Sequence, residues 1–176
     1  MTPSQVRYQT ALRPGAALKL SPGSQHTIPH HPATPRSSIP TPPTLGGVRI
    51  DLVTLVVHEY DPAIEFFVGV LGFELVEDVP STTTDGRPKR WVVVRPPGGG
   101  AGLLLARADG ERQGARVGDQ TGGRVGFFLR VERFDLWYNV LKEKNVRIVR
   151  EPRTESYGTV AVFQDVAGNL WDLIGD

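Results

Sequence analysis

Residues 54–78 read TLVVHEYDPAIEFFVGVLGFELVED, and residues 128–151 read FLRVERFDLWYNVLKEKNVRIVRE. Each is a short β-branched, apolar run, then an Asp, then a stretch with helical spacing, then a second apolar run that ends in acid. In the first copy Ala63, Phe66, Phe67, Val70 and Leu71 fall on one helical face. Trp137, Val140 and Leu141 take the places of Ala63, Phe66 and Phe67 in the second. Asp61 reads as a helix cap with Pro62 at the first helical position, and Gly72 as the stop.

Working outward, the same order continues in both halves. Residues 90–95 and 103–106 read as two more strands joined by a turn over 96–101, and residues 160–165 and 170–174 are their counterparts. Leu55, Val57 and Asp61 match Leu129, Val131 and Asp135 at an offset of 74 residues. The offset is 73 at Leu75 and Ile148, 70 for the third strand and 68 for the fourth. It changes only where loops are expected, which marks a duplication rather than chance periodicity. The reading is an α+β domain over residues 48–176, built of βαβββ modules 48–106 and 124–175. The charged, Gly-rich connection 107–123 is a linker or a flap over a site.

Residues 1–47 have a different character. They hold nine of the fifteen prolines and four basic residues with no acid. No helical or strand period runs through them, so they read as a disordered leader. Two alternatives stand beside that reading: a targeting segment, or upstream sequence translated ahead of a true start near Val48. His26, His30 and His31 lie in this leader and read as chance members of a polar tail. The remaining residues carry 16 basic against 19 acidic side chains, a net of −3. That balance gives no electrostatic case for nucleic acid. With no Cys, disulfides and thiolate metal sites are excluded. Neither a membrane-length apolar run nor a secretory signal stands out, so the expected location is the cytoplasm.

The paired modules, the LGF at 71–73 and the stretch AVFQDVAGNLWDLI at 161–174 resemble the vicinal-oxygen-chelate superfamily, which includes glyoxalase I, bleomycin-resistance proteins and extradiol dioxygenases. The resemblance covers residues 48–175. It implies a cup-shaped mixed sheet with helices on its outer face, the two halves closing around a small ligand. It also implies a homodimer. Metal-using members place one ligand on the first and one on the fourth strand of each module, and the ion polarises neighbouring substrate oxygens. Those positions fall at Leu52, Leu104, Gly126 and Asp172. Three of them offer no side-chain lone pair, so no metal is expected there. His58, at the end of the first strand, does not match a ligand position and reads as a surface residue.

Strand alternation turns Val53, Leu55 and Val57 towards the helices and Leu52, Thr54 and Val56 towards the cup. The full expected lining adds Gly102, Leu104, Ala106, Gly126, Phe128, Arg130, Leu170, Asp172 and Ile174, mostly apolar with a few polar groups. Such a surface suits a small molecule and equally a barrel core. Asp172 is the candidate for chemistry: a desolvated carboxylate with a raised pKa, able to take a proton or anchor a ligand donor. The competing role is an ion pair with Arg95, Arg107 or Arg130. Tyr157, before a turn, and Trp91 are further candidates at the cup mouth. The expected function is metal-free binding of a small, largely apolar molecule, in the manner of bleomycin-resistance proteins. The alternative is a lyase, isomerase or dioxygenase relative that uses Asp172 or an atypical metal site.

Overall fold

The computed structural model describes residues 47–176; residues 1–46 of the leader, with its three histidines, lie outside the described residues. The first module runs β1 (Leu52–Val57), α1 (Tyr60–Gly69), β2 (Glu74–Thr82), β3 (Pro88–Arg95) and β4 (Gly102–Arg107). A single-turn helix α2 (Glu111–Gly114) sits in the connection. The second module runs β5 (Val125–Arg130), α3 (Phe134–Glu143), β6 (Ile148–Glu155), β7 (Gly158–Gln164) and β8 (Leu170–Gly175). Each module forms its own four-stranded mixed sheet, ordered β1-β4-β3-β2 and β5-β8-β7-β6. In both, the first and fourth strands pair in parallel and the other contacts are antiparallel. The α+β class and the repeated βαβββ order are as the sequence indicates.

The helix starts differ from the sequence reading. Neither Asp61 nor Asp135 caps its helix. Each stands second, behind a buried aromatic, Tyr60 or Phe134, and neither helix has a side-chain cap. Burial of the ring fixes the entry point, and the Asp still favours the positive end of the helix. Asp61 instead accepts a hydrogen bond from Arg90 Nη1 at 2.6 Å. Arg90 also holds Asp78, and its guanidinium lies 5.2 Å from the centre of the Tyr60 ring. The stops are equivalent in the two copies: Gly72 (φ 65°) and Asn145 (φ 55°) are both left-handed. Phe73 N then donates to Phe67 O at 2.9 Å, and Val146 N to Leu141 O at 2.8 Å.

β2 and β6 run longer than their apolar runs suggest. β2 reaches Thr82 because its pairing with β3 continues through Ser81 opposite Lys89 and Thr82 opposite Pro88. Pro80 is tolerated there because β2 is an edge strand.

One core serves both modules. It contains Leu55, Val57, Val92, Val94, Leu103 and Leu105 from the first sheet, and Ala161, Phe163, Trp171 and Leu173 from the second. α1 contributes Ala63, Phe66 and Phe67, and α3 contributes Phe134 and Leu141. All these strand residues share the parity that faces the helices. Trp171 ties the halves together, its ring 5.8 Å from that of Phe67 on α1 and stacked 4.4 Å from that of Phe127 on β5. The helix-bearing faces of the two sheets therefore meet in the middle of the molecule.

Candidate functional site

Strand register places each candidate residue. In the first sheet Leu52 stands beside Gly102, Thr54 beside Leu104 and Val56 beside Ala106. In the second, Phe128 stands beside Asp172 and Arg130 beside Ile174. Val93, Val160, Val162 and Ile174 are buried, yet they lie outside the common core. They form the floors of two faces that point away from the helices.

Within one chain these faces are not combined. The cavities that do span both modules are lined by helix-side residues such as Val53, Leu103, Leu129 and Trp171. Phe128 and Arg130 reach their edges, and Phe128 is 66% exposed. Leu104 and Ala106 line a separate cavity of about 260 Å³ with Trp91, Lys89 and Tyr60. Thr54 is exposed, Leu52 and Val56 are half-buried, and Tyr157 is 50% exposed. The structure thus brings Thr54 together with Leu104, and Phe128 with Asp172, as neighbours on two separate faces. His58 is exposed.

Gly102 sits on the inner face because Leu52 lies across it: a Cβ there would stand 2.9 Å from Leu52 Cδ2. Gly126 is covered by Thr121, whose Cγ2 lies 2.6 Å from the place of a Cβ. Of the four positions that the resemblance implies for a metal, two are leucines, one is a glycine whose side-chain space is filled, and one is Asp172. That donor set does not fit a divalent ion, which needs about three protein ligands. Among the described residues no group of three or more His, Asp or Glu side chains is close enough to hold a metal ion.

The connection between modules closes the free edge of β1. Gln120 Nε2 donates to Thr54 O at 2.9 Å, and Val56 N donates to Gln120 Oε1 at 2.5 Å. One side-chain amide thereby replaces a neighbouring strand at an otherwise open edge. Nothing periodic in residues 107–123 announces this contact.

Asp172 is 9% exposed on the inner face of β8. None of the ion pairs among the described residues includes it. Arg95 pairs with Asp51 and Arg107 with Glu59, so the partners expected from sequence are engaged elsewhere or, for Arg130, apart. Burial raises the Asp172 carboxyl above its ordinary value, and the positive charges of Arg153 and Arg150 oppose that rise. A raised pKa means the ionised form weakens the fold. The penalty is absent below the unfolded-state value of about 4 and grows as pH rises through the higher folded-state value. Asp172→Asn is therefore expected to melt above the wild type at pH 7, the gap closing as pH falls towards 4. Melting curves across that range check it; a lower-melting Asn variant at pH 7 contradicts it.

A second buried carboxylate escaped the sequence reading. Asp165, 6% exposed, accepts from Ala167 N and Asn169 N, each at 2.9 Å, and from Asn169 Nδ2 and Trp171 Nε1, each at 3.0 Å. It shapes the β7–β8 turn and aims β8, which places Asp172. Its signal was the DVAGNLW spacing at 165–171, legible as a family ending but not as a hydrogen-bond network.

Comparison with known proteins adds the following. A family model described as Glyoxalase/Bleomycin resistance protein/Dioxygenase superfamily matches residues 49–173. An uncharacterized protein from Shewanella frigidimarina is 49% identical over 123 residues, covering 69% of this chain and 89% of that one. The crystal structure of UcmS2 is 28% identical with a TM-score of 0.61, over 73% of this chain and 98% of that one. TnmS3, described as an antibiotic binding protein from Streptomyces sp. CB03234, is 26% identical with a TM-score of 0.59, over 74% and 98% of the two chains. No helix among the described residues is long and apolar enough to cross a membrane.

Proposed function

The chain belongs to the Glyoxalase/Bleomycin resistance protein/Dioxygenase superfamily, and from that premise we propose that it binds a small, largely apolar molecule on its inner sheet faces without a divalent metal. The observation that carries this reading is the substitution of Leu52, Leu104 and Gly126 at three of the four ligand positions, on a fold otherwise kept. Apolar walls with a few polar groups then remain, the composition of a small-molecule pocket. An antibiotic-binding protein of similar fold supports the reading. Asp172 anchors a ligand donor, with Phe128 beside it as an exposed apolar contact.

Because the helix faces are spent on the common core, the two inner faces of one chain are left as separate half-sites. We propose that a second copy completes them, giving a homodimer in which half-sites from two chains face one another. Light scattering on the eluting protein should report twice the chain mass; a monomer at micromolar concentration contradicts the dimer.

The test of binding is thermal shift on chelator-treated protein against a panel of planar and branched apolar compounds. Hits are expected without metal, and Asp172→Ala is expected to reduce their shifts. Shifts that appear only after Zn, Ni, Fe or Mn is returned would contradict the reading. One observation favours an enzyme instead: the raised carboxyl of Asp172 could serve as a base in a lyase or isomerase. Turnover of a bound compound, abolished in Asp172→Asn, would establish that alternative.

A further inference from the structure

The inner face of the second sheet carries more positive charge than an apolar pocket requires, and the way it does so is specific. β6 pairs with β7 through two register shifts, one between Ile148 and Arg150 and one between Arg150 and Arg153. In an unbroken strand, residues three apart point to opposite faces. The irregularities instead set Arg150 opposite Val162 and Arg153 opposite Val160. Val162 pairs with Asp172 and Val160 with Ile174 on β8, so both arginines share the face of Asp172. Across the sheet one row reads Arg150, Val162, Asp172, Phe128, and the next reads Arg153, Val160, Ile174, Arg130. Guanidiniums thus stand on both outer strands of a valine and isoleucine floor.

Two of these three charges, Arg150 and Arg130, have no ion-pair partner among the described residues. Arg153 donates to Glu155 at 2.7 Å. All three side chains are exposed. Asp172 and Arg150 are two strands apart, about 10 Å between backbones. Val162 between them is fully buried, so a ligand that bridges the two rests on the exposed side chains around it, Phe128 and the arginines. A guanidinium grips a carboxylate or enolate in two parallel hydrogen bonds, whereas Asp172 accepts from a hydroxyl or amide.

Resting on the small-molecule reading above, we propose that this face selects an anionic ligand: a flat, apolar ring system bearing an acidic group that Arg150 and Arg153 hold, and a hydroxyl that Asp172 accepts. Arg150 is the principal anion contact, since Arg153 shares its charge with Glu155.

The probe is 6-hydroxy-2-naphthoate, whose hydroxyl and carboxylate stand at opposite ends of the ring system, with its neutral methyl ester as the matched control. Isothermal titration on the full chain, in chelator, is run for wild type, Arg150→Gln and Arg150→Lys. The anion is expected to bind about tenfold tighter than the ester, as a charge-assisted pair provides. Arg150→Gln should bring the anion to the level of the ester, and Arg150→Lys should retain part of the preference. Arg150 is exposed and has no ion-pair partner among the described residues, so the variants should melt close to the wild type. Equal binding of acid and ester, or no change in Arg150→Gln, overturns the anion preference while small-molecule binding stands. If neither compound binds, the anion preference falls, and the small-molecule reading is decided separately by the compound panel above.

Discussion

Replacing Asp165 with alanine is expected to lower stability by about 3–4 kcal/mol, enough to leave a marginal domain partly unfolded. The carboxylate accepts four N–H groups in a turn where it is 6% exposed. Its loss strands the Trp171 indole N–H and the Asn169 amide in a dry environment, and each unpaired group costs about 1–3 kcal/mol. Asp165→Asn should be milder, because an amide oxygen still accepts. Urea unfolding followed by tryptophan fluorescence measures both. An alanine variant within about 1 kcal/mol of wild type would show that the network does not hold the turn.

Phe67→Ala is the second large effect, expected at about 3–5 kcal/mol. The ring is fully buried and touches Phe66, Phe73 and Trp171, which belong to both modules. Its removal opens a void at the point where the helix-side faces meet, and the packed sheets cannot collapse into it. Phe67→Leu, which keeps most of the volume, should lose much less. Equal losses for the two variants would mean that the junction relaxes freely and that the modules are not one packed unit. The same unfolding curves should remain a single transition in wild type, since both modules share one core.

The repeat made most of the fold legible. Leu55, Val57, Ala63, Phe67 and Leu141 are core residues in the structure, and their constant offset exposed them without any propensity scale. Left-handed stops at Gly72 and Asn145 follow the offset of the second strands that come after them, although only the glycine announces itself. The caps misled because Asp before an amphipathic run is a cap by its own chemistry. Burial of Tyr60 and Phe134 overrides it, and burial is a property of packing.

The candidate site was legible to a lesser degree. Alternation gives Thr54, Leu104, Phe128 and Asp172 their inner face, because β1 and β4 pair without a break and the break between β5 and β8 lies before Phe127. Arg150 and Arg153 were missed because their common face depends on two irregularities in β6; Pro152, between them, was the available sign of a break in the strand. Gln120 was invisible for a related reason: its partners are backbone atoms 64 and 66 residues away. The duplication itself suggested one site shared by two halves of a chain, whereas the packing of Trp171 turns those halves outward.

The central claim is that this chain binds its ligand on the inner faces with no divalent ion. The most direct measurement is the affinity of one bound compound for wild-type protein, first stripped of metal by chelator and dialysis, then supplied in turn with Zn, Ni, Fe and Mn. The account predicts the same dissociation constant in every case and a weaker one in Asp172→Ala. Binding that vanishes on stripping and returns with one of these ions would contradict it.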